Sequence, residues 1–313
     1  MLPSPSNLTN FQRYLKRFAQ NDQPAAFEYL IAATISQIFF LPFQSKDNED
    51  NTIKYRVIWG GNINKKSKAI SKSPSGPDVI CFAYGFYILI ESTLRKDANQ
   101  WRKEFVESLR HYEDFTKNVD KKEVYLVITA PRIHKDTYMG FKQKACEEYN
   151  IVVLENSHLA NIGNCSCMVP TIRHLDLHQL FTDLVKVLRE SVSFDKIGNE
   201  LNKTISKWQS DVLKREKNVF FGLKAYEAMK KVPNNTVGTS DILLNLKKDR
   251  KFKNYLHILG ETDVTSYIKD GLLSEKLALL VPTPYEDLFC KVNAIDFKAR
   301  GLRLIKAVEE IHD

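Results

Sequence analysis

Two apolar segments separated by a tight turn constrain the fold of this chain more than any other feature. Val79–Phe82 and Phe86–Thr93 are rich in β-branched and aromatic residues and are joined across Tyr84 and Gly85, a pattern typical of two paired strands. Apolar residues on both faces predict a central position in a sheet that is covered on both sides. A long helix follows, running from a cap at Asp97 to about Phe115.

Helices and strands alternate around this hairpin, which predicts an α/β domain with a mixed sheet flanked by helices. The segments concerned are helix Ala25–Phe40, strand Thr52–Trp59, strand Val124–Thr129, helix Lys135–Tyr149 and strand Ile151–Leu154. Pro24 fits the first turn of its helix because its missing N–H has no partner there in any case. The chain therefore divides into an α/β domain, residues 1–165, and a second domain, residues 166–313.

The second domain is expected to be mainly helical. Its pattern is helices Leu175–Val192, Ile197–Arg215, Asp241–Lys248 and Val264–Asp270, a short strand Leu277–Val281, and a closing helix Ile295–Ile311. Gly271 is expected to end its helix in a left-handed conformation. Short helices followed by a hairpin-like piece fit a winged helix-turn-helix.

Two carboxylates stand at matching ends of the hairpin strands. Asp78 precedes the first strand, Glu91 ends the second, and Thr93 follows Glu91 on the same side. If the strands are neighbours, the two carboxylates can hold a hard divalent cation and leave positions open for water and phosphate. The alternative for Asp78 is an ordinary Pro-Asp turn before a strand.

Further polar candidates lie on the two helices. Gln100, Glu104, Glu107 and His111 form one stripe along the helix after the hairpin, beside the apolar stripe that faces the sheet. Glu28 lies one position off the apolar face of the first long helix. Each has a structural alternative, because charged residues on helices are usually solvated.

Charge and composition limit the partners. The net charge is +8 and the pI near 9.0, which permits a polyanionic partner without naming one. No apolar run is long enough to span a bilayer, and the five scattered cysteines favour reduced thiols, so a cytoplasmic protein without membrane contact is expected. Two basic clusters are candidates for phosphate contacts: the loop lysines Lys65, Lys66, Lys68 and Lys72, and the group Lys247, Lys248, Arg250, Lys251, Lys253 and Tyr255.

The hairpin motif resembles a known family. Gly-Pro-Asp78, twelve further residues, and Glu91-Ser-Thr93 are similar to the PD-(D/E)xK nuclease signature, with Thr93 in place of the usual lysine. The later Gln100, Glu104 and Arg110-His111 resemble AlwI-type type IIS restriction endonucleases. The resemblance implies a restriction-endonuclease-like fold and a Mg²⁺ ion held by Asp78 and Glu91. It also implies that Glu28 is an accessory acid and that Gln100 and Glu104 lie near the metal or the scissile phosphate.

Thr93 is where the motif departs from the family. A threonine can hydrogen-bond a water but supplies no positive charge, so Lys96, Lys103 or a second metal ion would have to compensate.

The expected function is a sequence-specific, magnesium-dependent endonuclease acting on double-stranded DNA, with nuclease domain 1–165 and recognition domain 166–313. A homodimer or partner subunit is expected for cutting both strands, and a separate methyltransferase for modification. The alternatives are a strand-nicking subunit, a repair or mobile-element nuclease, and a catalytically inactive DNA-binding relative.

Overall fold

The hairpin around Tyr84 and Gly85 forms the centre of a six-stranded sheet. In the computed structural model, strands β5 (Val79–Ala83) and β6 (Phe86–Ser92) pair antiparallel, and Gly85 takes the positive φ of 82° that their turn requires. The structure describes residues 11–20, 23–63, 69–70, 76–168, 174–191, 193–248, 260–274 and 276–292. Within this part, the chain divides into two compact units, residues 1–209 and residues 210–313.

The sheet of the first unit is mixed, as the sequence predicts. Its order is β1-β2-β5-β6-β7-β8, with β1–β2, β6–β7 and β7–β8 parallel and the two pairs made by β5 antiparallel. The remaining strands of this unit are β1 (Phe43–Ser45), β2 (Arg56–Trp59), β7 (Val124–Ala130), β8 (Ile151–Glu155), and the separate pair β3 (Asn62–Ile63) and β4 (Ala69–Ile70).

Helices cover both faces of this sheet. The helices of the first unit are α1 (Phe11–Gln20), α2 (Pro24–Phe39), α3 (Asn99–Thr116), α4 (Lys135–Cys146), α5 (Asn156–Met168), α6 (His174–Glu190) and the first part of α7 (Phe194–Lys230). On one face, Tyr29 and Phe39 of α2 pack edge-on against Trp59 and Phe86. On the other face, Phe115 of α3 packs against Tyr87. The core is therefore split by the sheet into two apolar layers.

Several element boundaries differ from the prediction. The strand expected from Thr52 begins only at Arg56, because the Asp50 carboxylate accepts hydrogen bonds from both the N–H and the hydroxyl of Thr52 and holds a turn there. Helix α5 was not expected. Helix α7 runs to Lys230 rather than ending near Arg215.

The second unit has its own core around the end of α7. Strands β9 (Thr236–Gly238), β10 (Ala278–Pro282) and β11 (Asp287–Lys291) form an antiparallel sheet in the order β10-β11-β9, and α8 (Thr239–Leu246) and α9 (Glu261–Ser274) complete the unit. Buried residues from each helix, including Phe221, Ile242 and Ile268, share one cluster with Phe289 of β11. Helices and a short sheet are thus both present; the winged helix-turn-helix stays a prediction.

Gly271 does not end its helix, which corrects the prediction made for it. Helix α9 continues through Gly271 to Ser274, and a Cβ built on Gly222 of α7 would lie 3.0–3.2 Å from the Gly271 backbone. A Cβ on Gly271 itself would overlap the Asn218 carbonyl oxygen and Gly222. The glycine is required by close helix packing rather than by a left-handed cap.

Some sequence predictions fall outside the described residues. These are the closing helix 295–311, the loop lysines 65, 66, 68 and 72, and Arg250, Lys251, Lys253 and Tyr255. Lys247 and Lys248 are described and lie exposed just after α8. The compact units divide after Gln209, later than residue 165; the assignment of a nuclease and a recognition role to domains 1–165 and 166–313 stays a prediction. No helix of the described ranges combines the length and apolar character that crossing a membrane takes.

Candidate active site

Asp78 and Glu91 flank the last residue pair between β5 and β6. Val79 pairs with Ile90 at the end of this antiparallel ladder; Asp78 directly precedes Val79, and Glu91 directly follows Ile90. Glu91 lies on the face of the sheet that α3 covers, because Tyr87, which contacts α3, alternates in step with Glu91. Asp78 lies just outside β5, where it contacts Ser92 of β6.

Asp78 accepts two hydrogen bonds from Ser92 and lies close to other negative charges. Its Oδ2 accepts hydrogen bonds from the Ser92 N–H at 2.7 Å and the Ser92 hydroxyl at 2.9 Å. The pKa of Asp78 is nevertheless raised well above its usual range, first by burial and then by the charges of Glu91 and Glu28. Burial and these charges raise the pKa by more than the two hydrogen bonds lower it. The environment of the carboxylate therefore favours a nearby cation.

Glu91 is buried and bonded to a histidine of α3. Its Oε1 lies 2.6 Å from Nδ1 of His111, and both side chains are more than 90% buried. On the other side of the imidazole, Arg110 Nη2 lies 3.3 Å from His111 Nε2. A guanidinium can only donate, so Nε2 accepts from Arg110 and Nδ1–H donates to Glu91. Arg110, His111 and Glu91 therefore form a directed chain of hydrogen bonds that fixes the orientation of the carboxylate.

Thr93 lies buried just past β6, on the same face as Glu91. Its backbone N–H donates to the Thr129 carbonyl at 3.0 Å, and its hydroxyl oxygen accepts from the Arg95 N–H at 3.2 Å. The hydroxyl proton can still be donated to another group.

Gln100 is fully buried, and its amide bonds to backbone groups of two loops. Its Nε2 donates to the carbonyls of Arg95 at 2.6 Å and Arg132 at 3.0 Å, and its Oε1 accepts from the His134 N–H at 2.9 Å. Those loops follow the carboxyl ends of β6 and β7. Gln100 thus ties together the chain segments beside Thr93.

The structure describes the surroundings of Glu28 and Glu104 in less detail. Glu28 is half-buried on α2, and its charge contributes to the raised pKa of Asp78, so it lies near that carboxylate. Glu104 belongs to α3, but its side chain, like that of Lys103, lies outside the described part of the structure.

The donor set fits a magnesium ion better than a transition metal. Among the described residues, no three His, Cys, Asp or Glu side chains converge closely enough to enclose a metal ion. Magnesium needs no such cage, since it is usually held by one or two carboxylates and completes its shell with water and phosphate oxygens. Asp78, whose pKa is raised by burial and by two neighbouring carboxylates, would supply a hard oxygen ligand for that mode of binding.

A cavity of about 740 Å³ lies beside the carboxylates, between β2, β5 and the second half of α3. His111 forms part of its wall, and so do Gly76 and Pro77, which precede Asp78. The cavity is therefore connected to the carboxylates through His111, which bonds to Glu91, and through Pro77, which precedes Asp78.

His111 is the residue that sequence reasoning left out of the candidate set. The sequence places His111 in the polar stripe and in the Arg-His motif, but neither feature marks it as a site residue. His111 lies eleven positions after Gln100, and this spacing places both residues on one helix face. That spacing is the sequence feature that could have identified His111. Only the pairing of α3 with β6 shows that this face brings the imidazole to Glu91.

A comparison with known families agrees with the motif. Residues 5–157 match the family model of the AlwI restriction endonuclease. A search of curated proteins found no match. Among solved structures, the chain is similar to the small subunit (R.BspD6I2) of the heterodimeric restriction endonuclease R.BspD6I, with a TM-score of 0.46 and 16% identity over 63% of this chain and 98% of that chain. The resemblance to the AlwI family is confirmed by the family model.

Proposed function

We propose that this chain, whose residues 5–157 match the AlwI restriction endonuclease family, is a sequence-specific endonuclease that hydrolyses double-stranded DNA with Mg²⁺. The observation that carries the proposal is the pair Asp78 and Glu91, which flank the last residue pair of two neighbouring strands, with Glu91 fixed by His111. Two neighbouring carboxylates can hold the magnesium ion that activates water for phosphodiester hydrolysis.

Each residue has a separate task in this proposal. Asp78 and Glu91 would hold the metal ion, which, when bound, activates water and neutralises charge on the phosphate. His111 keeps the Glu91 carboxylate oriented through Nδ1–H, and Arg110 keeps the imidazole in that tautomer. Glu28 adds negative charge near Asp78, and Glu104 is proposed to lie near the scissile phosphate.

Thr93 supplies a hydroxyl donor rather than a cation. The positive charge connected to the site within the described residues comes through Arg110, whose guanidinium bonds to the imidazole that bonds to Glu91. We infer that this relay, together with the metal ion, takes over part of the charge compensation that a lysine at position 93 would give. Gln100 contributes by fixing the loop that follows Thr93.

DNA recognition is assigned to the C-terminal part of the chain. The second unit combines helices with a three-stranded antiparallel sheet, which is the composition of a winged helix-turn-helix. Lys247 and Lys248, exposed after α8, are suited to phosphate contacts. The net charge of +8 supports a polyanionic partner.

A single catalytic site hydrolyses one strand at a time. Cutting both strands therefore requires a second copy or a partner subunit, and the chain acting alone would nick one strand. Protection of the host DNA is assigned to a separate methyltransferase, as the modification partner of such an enzyme.

Digestion of plasmid DNA with Mg²⁺, followed by sequencing of the ends, tests the proposed function. Ends at a fixed offset from one recurring sequence are expected. Nicks confined to one strand at that offset identify a nicking subunit, whereas ends without a common sequence point to a repair-type nuclease. Binding without any cleavage would overturn the enzymatic assignment.

Replacing His111 tests the relay to Glu91. In His111→Ala, cleavage is expected to fall about 10- to 100-fold, and the Mg²⁺ concentration for half-maximal rate is expected to rise, because a freed Glu91 carboxylate is no longer oriented. His111→Gln, which retains an N–H donor, should recover part of both effects. Unchanged rate and Mg²⁺ dependence in His111→Ala would show that the 2.6 Å contact has no part in catalysis.

A further inference from the structure

The cavity beside the carboxylates has the lining of a nucleotide site. Two kinds of side chain line it: rings, which are Tyr55, Phe82, Tyr87 and Phe115, and cations, which include Lys46 and Lys54. Aromatic faces stack on bases of any sequence, and lysines neutralise the phosphates that join them. Its volume of about 740 Å³ falls within the range of cavities that enclose a small organic molecule, about 300–1,000 Å³.

The lining adjoins the proposed catalytic residue Glu91. Phe82 pairs with Tyr87 in the β5–β6 ladder, and Tyr87 alternates in step with Glu91, so these three side chains point to the α3 face. A strand whose phosphate lay at the carboxylates could therefore have its neighbouring base in the cavity. His111 belongs to both sites.

The charges around the cavity favour an anionic ligand in spite of two carboxylates nearby. Asp114, in the wall, is already paired with Lys117 at 2.6 Å, and Glu49 is paired with the buried Arg56 at 2.7 Å. Arg56 also lies over the Phe82 ring at 4.6 Å, which fixes that ring in place. Lys54 is exposed beside the Tyr55 ring, 5.1 Å from its centre, and is able to reach a phosphate.

We propose that this cavity binds one unpaired nucleotide, taken from the DNA strand next to the scissile phosphate. The inference rests on the proposed function and extends it, since it makes local unpairing of the duplex a part of substrate binding. Removing a nucleotide from the stack costs free energy, and the cost is smallest where the base is already mismatched or its partner is missing.

The test uses the full chain and duplexes that contain the mapped cut site, with Ca²⁺ replacing Mg²⁺ to allow binding without cleavage. A single mismatch is moved along the duplex one position at a time, and affinity is measured at each. A mismatch at one position beside the cut is expected to tighten binding about tenfold or more. The double variant Lys54→Ala/Tyr55→Ala should lose this gain.

Matched controls separate the cavity from general effects. Lys122→Ala removes an exposed lysine that does not line the cavity, and it should keep the full gain. Lys54→Ala alone changes one exposed side chain and should reduce the gain in affinity for the mismatched duplex. This single variant keeps the test valid if the double variant unfolds. Inhibition of wild-type cleavage by deoxynucleoside 5′-monophosphates, weakened in Lys54→Ala, would identify a free nucleotide as the occupant.

The proposal is overturned if no position gives a gain and mononucleotides do not inhibit, or if Lys54→Ala and the double variant keep the full effect. That failure differs from failure of the proposed function. Without Mg²⁺-dependent cleavage the enzymatic assignment falls, whereas normal cleavage with no response to mismatches or mononucleotides removes only the nucleotide site.

Discussion

Asp78→Asn is expected to lose DNA cleavage while becoming more stable than the wild type in metal-free buffer at neutral pH. Loss of an oxygen ligand and of its charge should lower the cleavage rate by a factor on the order of 10³. The gain in stability follows from the raised pKa of Asp78, which reflects burial and the charges of Glu91 and Glu28. Asparagine removes this ionisation and keeps the shape.

The raised pKa of Asp78 also sets the direction in which the stability of the fold changes with pH. Because the pKa of Asp78 is higher in the folded than in the unfolded chain, the folded state holds the proton more tightly. Stability therefore falls as pH rises through the folded-state pKa, and the advantage of Asp78→Asn should shrink as pH is lowered toward the unfolded value of about 3.9.

Thermal unfolding of both proteins across this range, with and without Mg²⁺, measures the effect. Magnesium should stabilise the wild type and leave Asp78→Asn unchanged, because only the wild type holds the ion. Ser92→Ala serves as the control: it removes the hydroxyl that bonds to Asp78 at 2.9 Å and keeps the carboxylate, so cleavage should persist. Full activity in Asp78→Asn would remove Asp78 from the site.

Gly271→Ala is expected to unfold the second unit or destabilise it strongly. A Cβ at this position would overlap the Asn218 carbonyl and the Gly222 backbone, and a helix backbone cannot move aside as a side chain can. Overpacking a well-packed core costs about 1–3 kcal/mol, and occasionally more. We expect a cost at or above the upper end of that range.

Gly198→Ala is the matched control, since nothing lies within 4 Å of a Cβ built there. Alanine at this helical position should stabilise the protein by about 0.5–1 kcal/mol. The three tryptophans, Trp59, Trp101 and Trp208, lie in the first unit, so their fluorescence reports mainly that unit. Faster hydrogen exchange of α9 amides with unchanged tryptophan unfolding is the expected result. Unchanged exchange of α9 would contradict the close packing of α7 on α9.

The hairpin was predictable because its signals are local. Apolar runs, a glycine in the turn and a carboxylate at each end lie within sixteen residues, from Asp78 to Thr93. The mixed sheet followed from helix–strand alternation in the same way.

Contacts made at long range were not predictable from the pattern. The helix stripe of Gln100, Glu104, Glu107 and His111 was visible, but its members have different surroundings. Gln100 bonds to backbone of two loops, while His111 reaches Glu91. Gly271 carried a plausible local signal for a helix end, and the approach of α7 overrides it. Both results depend on partners distant in sequence, which periodicity does not contain.

The most direct test of the proposed active site is the position of a divalent ion. Crystals of the protein soaked in Mn²⁺, which binds the same oxygen ligands as Mg²⁺, would be examined by anomalous scattering. The account predicts a peak in contact with carboxylate oxygens of both Asp78 and Glu91, absent from Asp78→Asn crystals. A peak bound elsewhere, with none between these two residues, would contradict it.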